Sequence, residues 1–309
     1  MPQLYKDSII RPAQSASGQS VLIVNTKARR GQELYNQAQS ALRQAGVNLI
    51  GSYAVTSGRQ LPELARNIVK GGIKSLIIGG GDGTISAIVD YLVNHEINLG
   101  ILPLGTGNDF AATMNIPSTL EAAARVIAAG RTSRIDLGIV NHNYYVNVAS
   151  VGFGAAVATQ INAADKRDYG AFAYTIAAAR TALTHRPFVA RLTFSNQIIT
   201  TPAINIAVAN GRFYGGGNLV TPDARIDDNE LIVTLFEPMN LTELIQVGSQ
   251  LRSGLYTRHP RVRVFRRVRH LQLEIIEGRQ QHLNVDGELW GHTPATFGIA
   301  PAALSVFVP

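Results

Sequence analysis

The chain has no cysteine among its 309 residues. That excludes disulfide staples, thiol chemistry and zinc–thiolate sites, and it is compatible with a cytoplasmic location. Long apolar runs are missing too, with none approaching the roughly eighteen residues that a membrane-spanning helix needs. Residues 1–20 carry Lys6 and Arg11 but no apolar stretch of the signal-peptide kind, so they read as a partly disordered leader. Charge is sparse, 16% against 46% hydrophobic, which excludes a disordered chain and describes a compact soluble one. Acid is the scarcer sign. With 28 Lys and Arg against 21 Asp and Glu the net charge is +7, which favours an anionic partner: nucleic acid, nucleotide phosphate or an acidic membrane. Nucleic acid is the poorer candidate, because no aromatic stacking motif or recognition helix accompanies the positive charge.

What is present centres on Ser75-Leu76-Ile77-Ile78-Gly79-Gly80-Gly81-Asp82-Gly83-Thr84. The apolar start reads as a buried parallel strand, and the chain is expected to turn helical at Thr84. Ile85, Ile88, Val89, Leu92 and Val93 then form one helical stripe. A strand, a glycine turn and a helix start present unobstructed backbone N–H groups, an arrangement suited to phosphate. The spacing fits neither the Walker pattern nor the dinucleotide fingerprint. A second such turn follows: the run Leu99 to Leu104 leads into Gly105-Thr106-Gly107-Asn108-Asp109-Phe110-Ala111. Ligands of open α/β sheets bind at the carboxyl edges of the strands, so the two turns read as two walls of one phosphate and metal site.

GGGDGT together with LPLGTGNDFA resembles the diacylglycerol kinase catalytic domain of bacterial lipid kinases, relatives of sphingosine and ceramide kinases. The resemblance covers nearly the whole chain after Ser20. It implies an ATP-dependent lipid kinase that transfers the γ-phosphoryl group to a hydroxyl of diacylglycerol or a similar amphiphile, with Mg²⁺ as cofactor. Such an enzyme would be cytoplasmic and peripherally attached to an anionic membrane; a homodimer is compatible with it. Two rivals stand beside this reading. One is an NAD kinase-like phosphotransferase, which shares a Gly-Gly-Asp-Gly-Thr turn. The other is a non-catalytic nucleotide or lipid sensor, for which the altered Asn25–Gly31 loop leaves room.

The expected fold is α/β: an N-terminal doubly wound parallel-sheet domain over 21–139, rejoined by 296–309, and a mainly antiparallel, β-sandwich-like lipid domain over 140–295, with the cleft between them. Val21–Asn25 is the first strand, a helix runs on to Gly46, and Leu49 to Val55 is the second strand. The next helix carries Pro62 in its first turn and ends at Gly71. From about residue 140 the runs become strand-like and rich in Val, Ile, Phe and Thr. Helices are expected only around Tyr169–Thr184 and Leu241–Tyr256, and hairpin turns at Asn141–Asn143 and Ser195-Asn196.

By resemblance, Asn25, Lys27, Thr56, Gly79, Gly80, Gly81, Asp82, Gly83, Thr84, Thr106, Gly107, Asn108, Asp109 and Asp136 serve the nucleotide. Asp82, Asp109 and Asp136 would hold a hydrated Mg²⁺ against the phosphates, a role that oxygen ligands suit. The family's first loop usually reads Asn-Pro-x-Ser-Gly, whereas here Thr26 replaces the proline and Ala28-Arg29 departs from Ser-Gly. In the acidic turn Thr221–Glu230, a structural Mg²⁺ would take the Asp228 side chain and the carbonyls of Arg225 and Glu230. Asn229 stands where the family has glycine, and asparagine tolerates the left-handed backbone such a turn needs. In Asn284-Val285-Asp286-Gly287-Glu288, Glu288 is assigned as general base and Asp286 as its orienting or metal-linked neighbour. Arg258, Arg261, Arg263, Arg266, Arg267 and Arg269, with His259 and His270, would make one strand face a basic platform for anionic lipid.

Overall fold

The computed structural model describes residues 18–27, 30–159, 181 and 184–309. Most of the expected leader, the Ala28-Arg29 pair and nearly all of the helix expected around Tyr169–Thr184 lie outside the described residues. The chain divides into two compact units. One takes the described part of Met1–Leu137 with Ile226–Asp228 and Ala300–Pro309; the other takes Gly138–Arg225 and Asn229–Ile299.

In the first unit strand and helix alternate: β1 (Ser20–Asn25), α1 (Gly31–Gln44), β2 (Leu49–Val55), α2 (Leu61–Lys70), β3 (Ser75–Gly80), α3 (Asp82–Val89), β4 (Asn98–Pro103), α4 (Asp109–Thr113), α5 (Leu120–Ala128) and β5 (Thr132–Val140). The central strands are apolar along their length, as strands covered on both faces must be. All six residues of β3 are buried. β1 to β4 pair in parallel in the order β2-β1-β3-β4, so the winding reverses between β1 and β3. In open α/β sheets that switch point is where strand ends leave a crevice. α3 stops at Val89, short of the stripe's last members. Leu92 and Val93 are still buried, but from a turn. After α2 the left-handed residue is Gly72 (φ +73), one beyond Gly71.

The second unit continues with β6 (Asn143–Tyr145), β7 (Val148–Gly152), α6 (Phe153–Thr159), β8 (Phe188–Phe194), β9 (Ile198–Ala203), β10 (Asn205–Ala209), β11 (Phe213–Tyr214), β12 (Asn218–Leu219) and β13 (Leu231–Phe236). Then come α7 (Leu241–Gln250), β14 (Val262–Val268), β15 (His270–Glu277), β16 (His282–Val285), β17 (Glu288–His292) and β18 (Ala295–Phe307). One layer is antiparallel in the order β14-β13-β10-β7-β16-β17. The other pairs the start of β18 with β15, then β8 and β9. Their facing side chains, among them Val151, Leu192, Ile206, Val233, Leu273 and Phe297, form one core, so this unit is a β-sandwich. The run Ile198–Ala209 is two strands in different sheets, parted at Ile204, whose N–H turns to the carbonyl of Phe236. The last part of β18 lies parallel to β4, pairing Ser305 with Asn98 and Val306 with Leu99 in the first unit.

Candidate active site

The glycine turns are shaped by close approach. β3 extends through Gly80, Gly81 is extended at φ −101, and the helix begins at Asp82, two residues earlier than the periodicity indicated. A Cβ on Gly80 would stand 2.6 Å from Oγ1 of Thr84, and one on Gly105 would stand 2.3 Å from the Cα of Gly81. The two turns therefore touch backbone to backbone, which only glycine permits. The Leu104 N–H donates to the Gly80 carbonyl at 3.1 Å. The Asp82 carboxylate accepts from the N–H groups of Asp109 (3.0 Å) and Phe110 (2.9 Å), the orphan first donors of α4. Asn108 sits in the left-handed region at φ +54. Its side chain accepts from Gly105 N–H at 2.9 Å and donates to Gly105 C=O at 2.8 Å, bracing the exposed Thr106-Gly107 tip.

The neighbouring strand end joins the same cluster. Asn25, at the tip of β1, donates from Nδ2 to Oγ1 of Thr84 at 3.1 Å, and its Oδ1 accepts from the Lys27 N–H at 3.2 Å. The structure thus brings Asn25, Thr84, Gly81, Asp82, Gly105, Asn108 and Asp109 together at the β1/β3 switch point, with Lys27 attached through its backbone. Gly79 is packed inside, where a Cβ would press on Leu104 and Val24 at 3.0 Å, whereas Gly83 is exposed. Thr56 follows β2, exposed; Ser57, not Thr56, caps the short turn that follows, accepting from the Arg59 N–H.

Asp136 is held by backbone groups. It is buried within β5, its carboxylate accepts from the Ala302 N–H at 2.7 Å, and its own N–H donates to Ile226 C=O at 2.7 Å. Among the described residues no three carboxylates or imidazoles gather closely enough to hold a metal. Asp136 joins backbone segments, where a buried carboxylate is stabilised by amide donors.

Asp286 is likewise held by backbone groups. Asp286 (φ +48) and Gly287 (φ +92) form the two-residue turn of the β16–β17 hairpin, the geometry that Asp-Gly favours. The Asp286 carboxylate is buried and accepts from Val146 (2.7 Å), Asn147 (2.9 Å) and Val148 (3.1 Å) N–H groups. It pins the hairpin to the start of β7. Glu288 begins β17 beside it and is exposed. Burial, and then the Asp286 charge, push the Tyr145 hydroxyl well above its ordinary range. The Tyr145 ring lies over Gly138, its cross-strand partner, where a Cβ would come within 2.1 Å of Cζ.

The sequence reading missed Asn210. Buried at the exit of β10, it donates to Val146 C=O at 2.9 Å, and its N–H and that of Gly211 both donate to Asn147 C=O. The segment that Asp286 grips from one side is thus held from the other. Asn210-Gly211 was visible only as an ordinary turn signal.

In the acidic turn Asn229 takes φ +57, the left-handed conformation a glycine would supply. Asp228 is exposed, Arg225 and Glu230 are half-buried, and Asp223 binds Arg266 through two nitrogens. Carboxylate and carbonyl oxygens are donors that suit Mg²⁺. The arginine segment is less free than its sequence suggests. Arg261, Arg263 and Arg266 lie 3.9, 3.8 and 2.5 Å from Glu243, Glu237 and Asp223. Arg258, Arg267 and Arg269 have no carboxylate partner among the described residues. Nor is one face of β14 wholly basic. Phe265 packs on the main core, Val262 and Val264 on the α7 side, and an irregularity in the pairing with β13, with Arg267 at φ +60, exposes Arg266 and Arg267 together.

A parallel sheet with two interlocked glycine turns at its switch point, continued by an antiparallel sandwich, defines a class of two-unit α/β proteins. Comparison with known proteins makes the class specific. The diacylglycerol kinase catalytic domain matches residues 19–140, and the YegS C-terminal NAD kinase beta sandwich-like domain matches residues 147–308. A Chromohalobacter salexigens protein named "Probable lipid kinase YegS-like" is 33% identical over 300 residues, covering 94% of each chain. A Staphylococcus epidermidis protein named diacylglycerol kinase is 29% identical over 236 residues, 76% of this chain and 74% of that protein. A Bacillus anthracis crystal structure described as that of "a putative diacylglycerol kinase" has the same fold, with a TM-score of 0.81 at 21% identity over 96% of this chain and 97% of that one. This chain belongs to the diacylglycerol kinase catalytic-domain family of lipid kinases.

Proposed function

We propose that the protein is an ATP-dependent kinase that transfers the γ-phosphoryl group to a hydroxyl of diacylglycerol or a similar lipid. The observation that carries this reading is the interlocked pair of turns, Gly79–Thr84 and Gly105–Asp109. Glycine backbones meet there with no Cβ between them, at a switch point and at two helix starts. Residues 21–139 with 296–309 form the nucleotide domain, in which Asn25, Lys27, Thr56, Thr84 and Thr106 orient the triphosphate. Residues 140–295 form the lipid domain.

Glu288 accepts the proton of the lipid hydroxyl as that oxygen bonds to the γ-phosphorus, and the bond to the ADP oxygen breaks. Being exposed at the head of β17, Glu288 is held only as firmly as its hairpin, and Asp286 supplies that firmness through three amides. When bound, Mg²⁺ neutralises charge building on the phosphate oxygens. Asp82 and Asp109 are the carboxylates beside the turns for it, and Arg225, Asp228 and Glu230 are the oxygen donors for a structural ion. The enzyme works in the cytoplasm, attached peripherally to anionic membrane. Arg258, Arg267 and Arg269 would each contribute about 1 kcal/mol to that attachment.

The test is Glu288→Gln. Turnover should fall by roughly 10²–10⁴-fold with the ATP KM nearly unchanged, since only the proton acceptor is removed. Unchanged turnover refutes the assignment. ADP release with dispersed diacylglycerol but not with NAD separates the lipid kinase from an NAD kinase-like enzyme.

A further inference from the structure

α7 leaves two large apolar side chains in solvent, where a surface helix normally carries polar ones. Its inward side chains, Leu244 and Val247, pack with Phe236, Tyr256 and Val262. Leu241 and Ile245, one turn apart along the flank of that packed stripe, are 53% and 64% exposed. Leu255, in the short turn that packs on α7, is 48% exposed. From Leu244 to Leu251 the sequence carries no charge at all. Large apolar side chains gathered in solvent are a mark of an interaction surface.

The surrounding charge says which. Arg252 and Arg258 border the patch, exposed, with no carboxylate partner among the described residues. Arg261 reaches Glu243 on α7 at 3.9 Å, so the arginine run begins beside this helix. A second copy of the chain would bring the same cations to the same interface, which is repulsive. An anionic leaflet suits both features: apolar side chains enter the acyl boundary while guanidinium groups stay among the phosphates.

We propose that the outer face of α7, with Leu255 and flanked by Arg252 and Arg258, is the surface by which this protein inserts into an anionic lipid leaflet. The proposal rests on the lipid-kinase reading, and it moves the main contact from β14 to α7. The full chain is tested by flotation with vesicles of phosphatidylcholine alone or mixed with phosphatidylglycerol. The wild type should float with the mixed vesicles. Leu241→Gln/Ile245→Gln should lose partitioning by about tenfold or more, since two side chains no longer gain from burial. Its thermal midpoint and its turnover on a short-chain, water-soluble diacylglycerol should stay unchanged, while turnover on vesicle-embedded diacylglycerol falls with the partitioning. Arg252→Glu/Arg258→Glu should weaken flotation and flatten its salt dependence. Leu255→Gln, on a separate element, should act in the same direction and serves if the double variant is unstable. Undiminished flotation of the glutamine variants overturns the proposal. So does conversion of a wild-type dimer to monomer by these changes in sedimentation velocity, which would make the face a contact between copies. A wild type that floats but leaves the short-chain lipid unphosphorylated counts against the kinase reading alone.

Discussion

Asp286→Asn isolates what holds the hairpin that carries Glu288. The two side chains are nearly the same size, and asparagine adopts the left-handed backbone of this position (φ +48) as readily as aspartate. Only the hydrogen bonding changes. The remaining oxygen can still accept from Asn147 and Val148, but the new NH₂ would face the Val146 N–H, now 2.7 Å from a carboxylate oxygen. Bonds to a charged acceptor contribute about 1.5–3 kcal/mol each, and a buried donor without a partner costs about 1–3 kcal/mol. One bond lost to opposed donors and two weakened to neutral strength amount to about 3 kcal/mol. In a chain of this size that lowers the thermal midpoint by about 5 °C. The assay is calorimetric melting at neutral pH, alongside amide hydrogen exchange at Val146–Val148. Asp286→Ala should fall further, because it strands all three donors and places alanine at positive φ. An asparagine variant melting within about 1 °C of wild type, with exchange at those amides unaltered, would refute the reasoning.

Three other outcomes follow from the same geometry. Gly105→Ala should separate the two turns, because its Cβ would stand 2.3 Å from the Cα of Gly81; the ATP KM should rise by about tenfold or more, and an unaltered KM would remove this contact from the site. Gly138→Ala should displace the Tyr145 ring and destabilise the second unit by about 1–3 kcal/mol in urea unfolding, the range for overpacking. Burial holds the His185 imidazole below its ordinary range, partly opposed by its bond to Ile204 C=O. The folded state therefore takes up this proton less readily than the unfolded chain. Stability is full above the unfolded pKa of about 6.5 and declines as pH falls through the window beneath it. The acid-side fall in melting temperature should be shallower in His185→Gln, and equal slopes would contradict the burial argument.

How much of this was legible in the sequence depends on the range of the interaction. The parallel strands could be read because burial on both faces leaves an uninterrupted apolar run, as at Leu76–Ile78. The left-handed backbone at Asn229 was expected from the glycine the family has there and from asparagine's tolerance of it, whereas Asp286-Gly287 was read for its acids and not as a hairpin turn. Carboxylate partners could not be read. Asp82 turns to amides 27 and 28 residues away, and Asp286 to amides up to 140 residues away. Spacing showed acids near glycines but not that their oxygens bind backbone, as those of Asp82, Asp136 and Asp286 do. The break at Ile204 was hidden for a related reason. Strands that change sheets can stay apolar on both sides of the bend, so periodicity does not mark it.

One consequence of β18 concerns the order of assembly. Ser305 Oγ bonds Asn98 Oδ1 at 2.7 Å, a partner 207 residues earlier in the chain. During synthesis β4 therefore emerges with its outer backbone groups unclaimed, and they stay so until almost the entire antiparallel sandwich has left the ribosome. An unclaimed edge of that kind is a template for pairing with neighbouring chains, so the nascent protein is most vulnerable to clumping while its own second half is still being made.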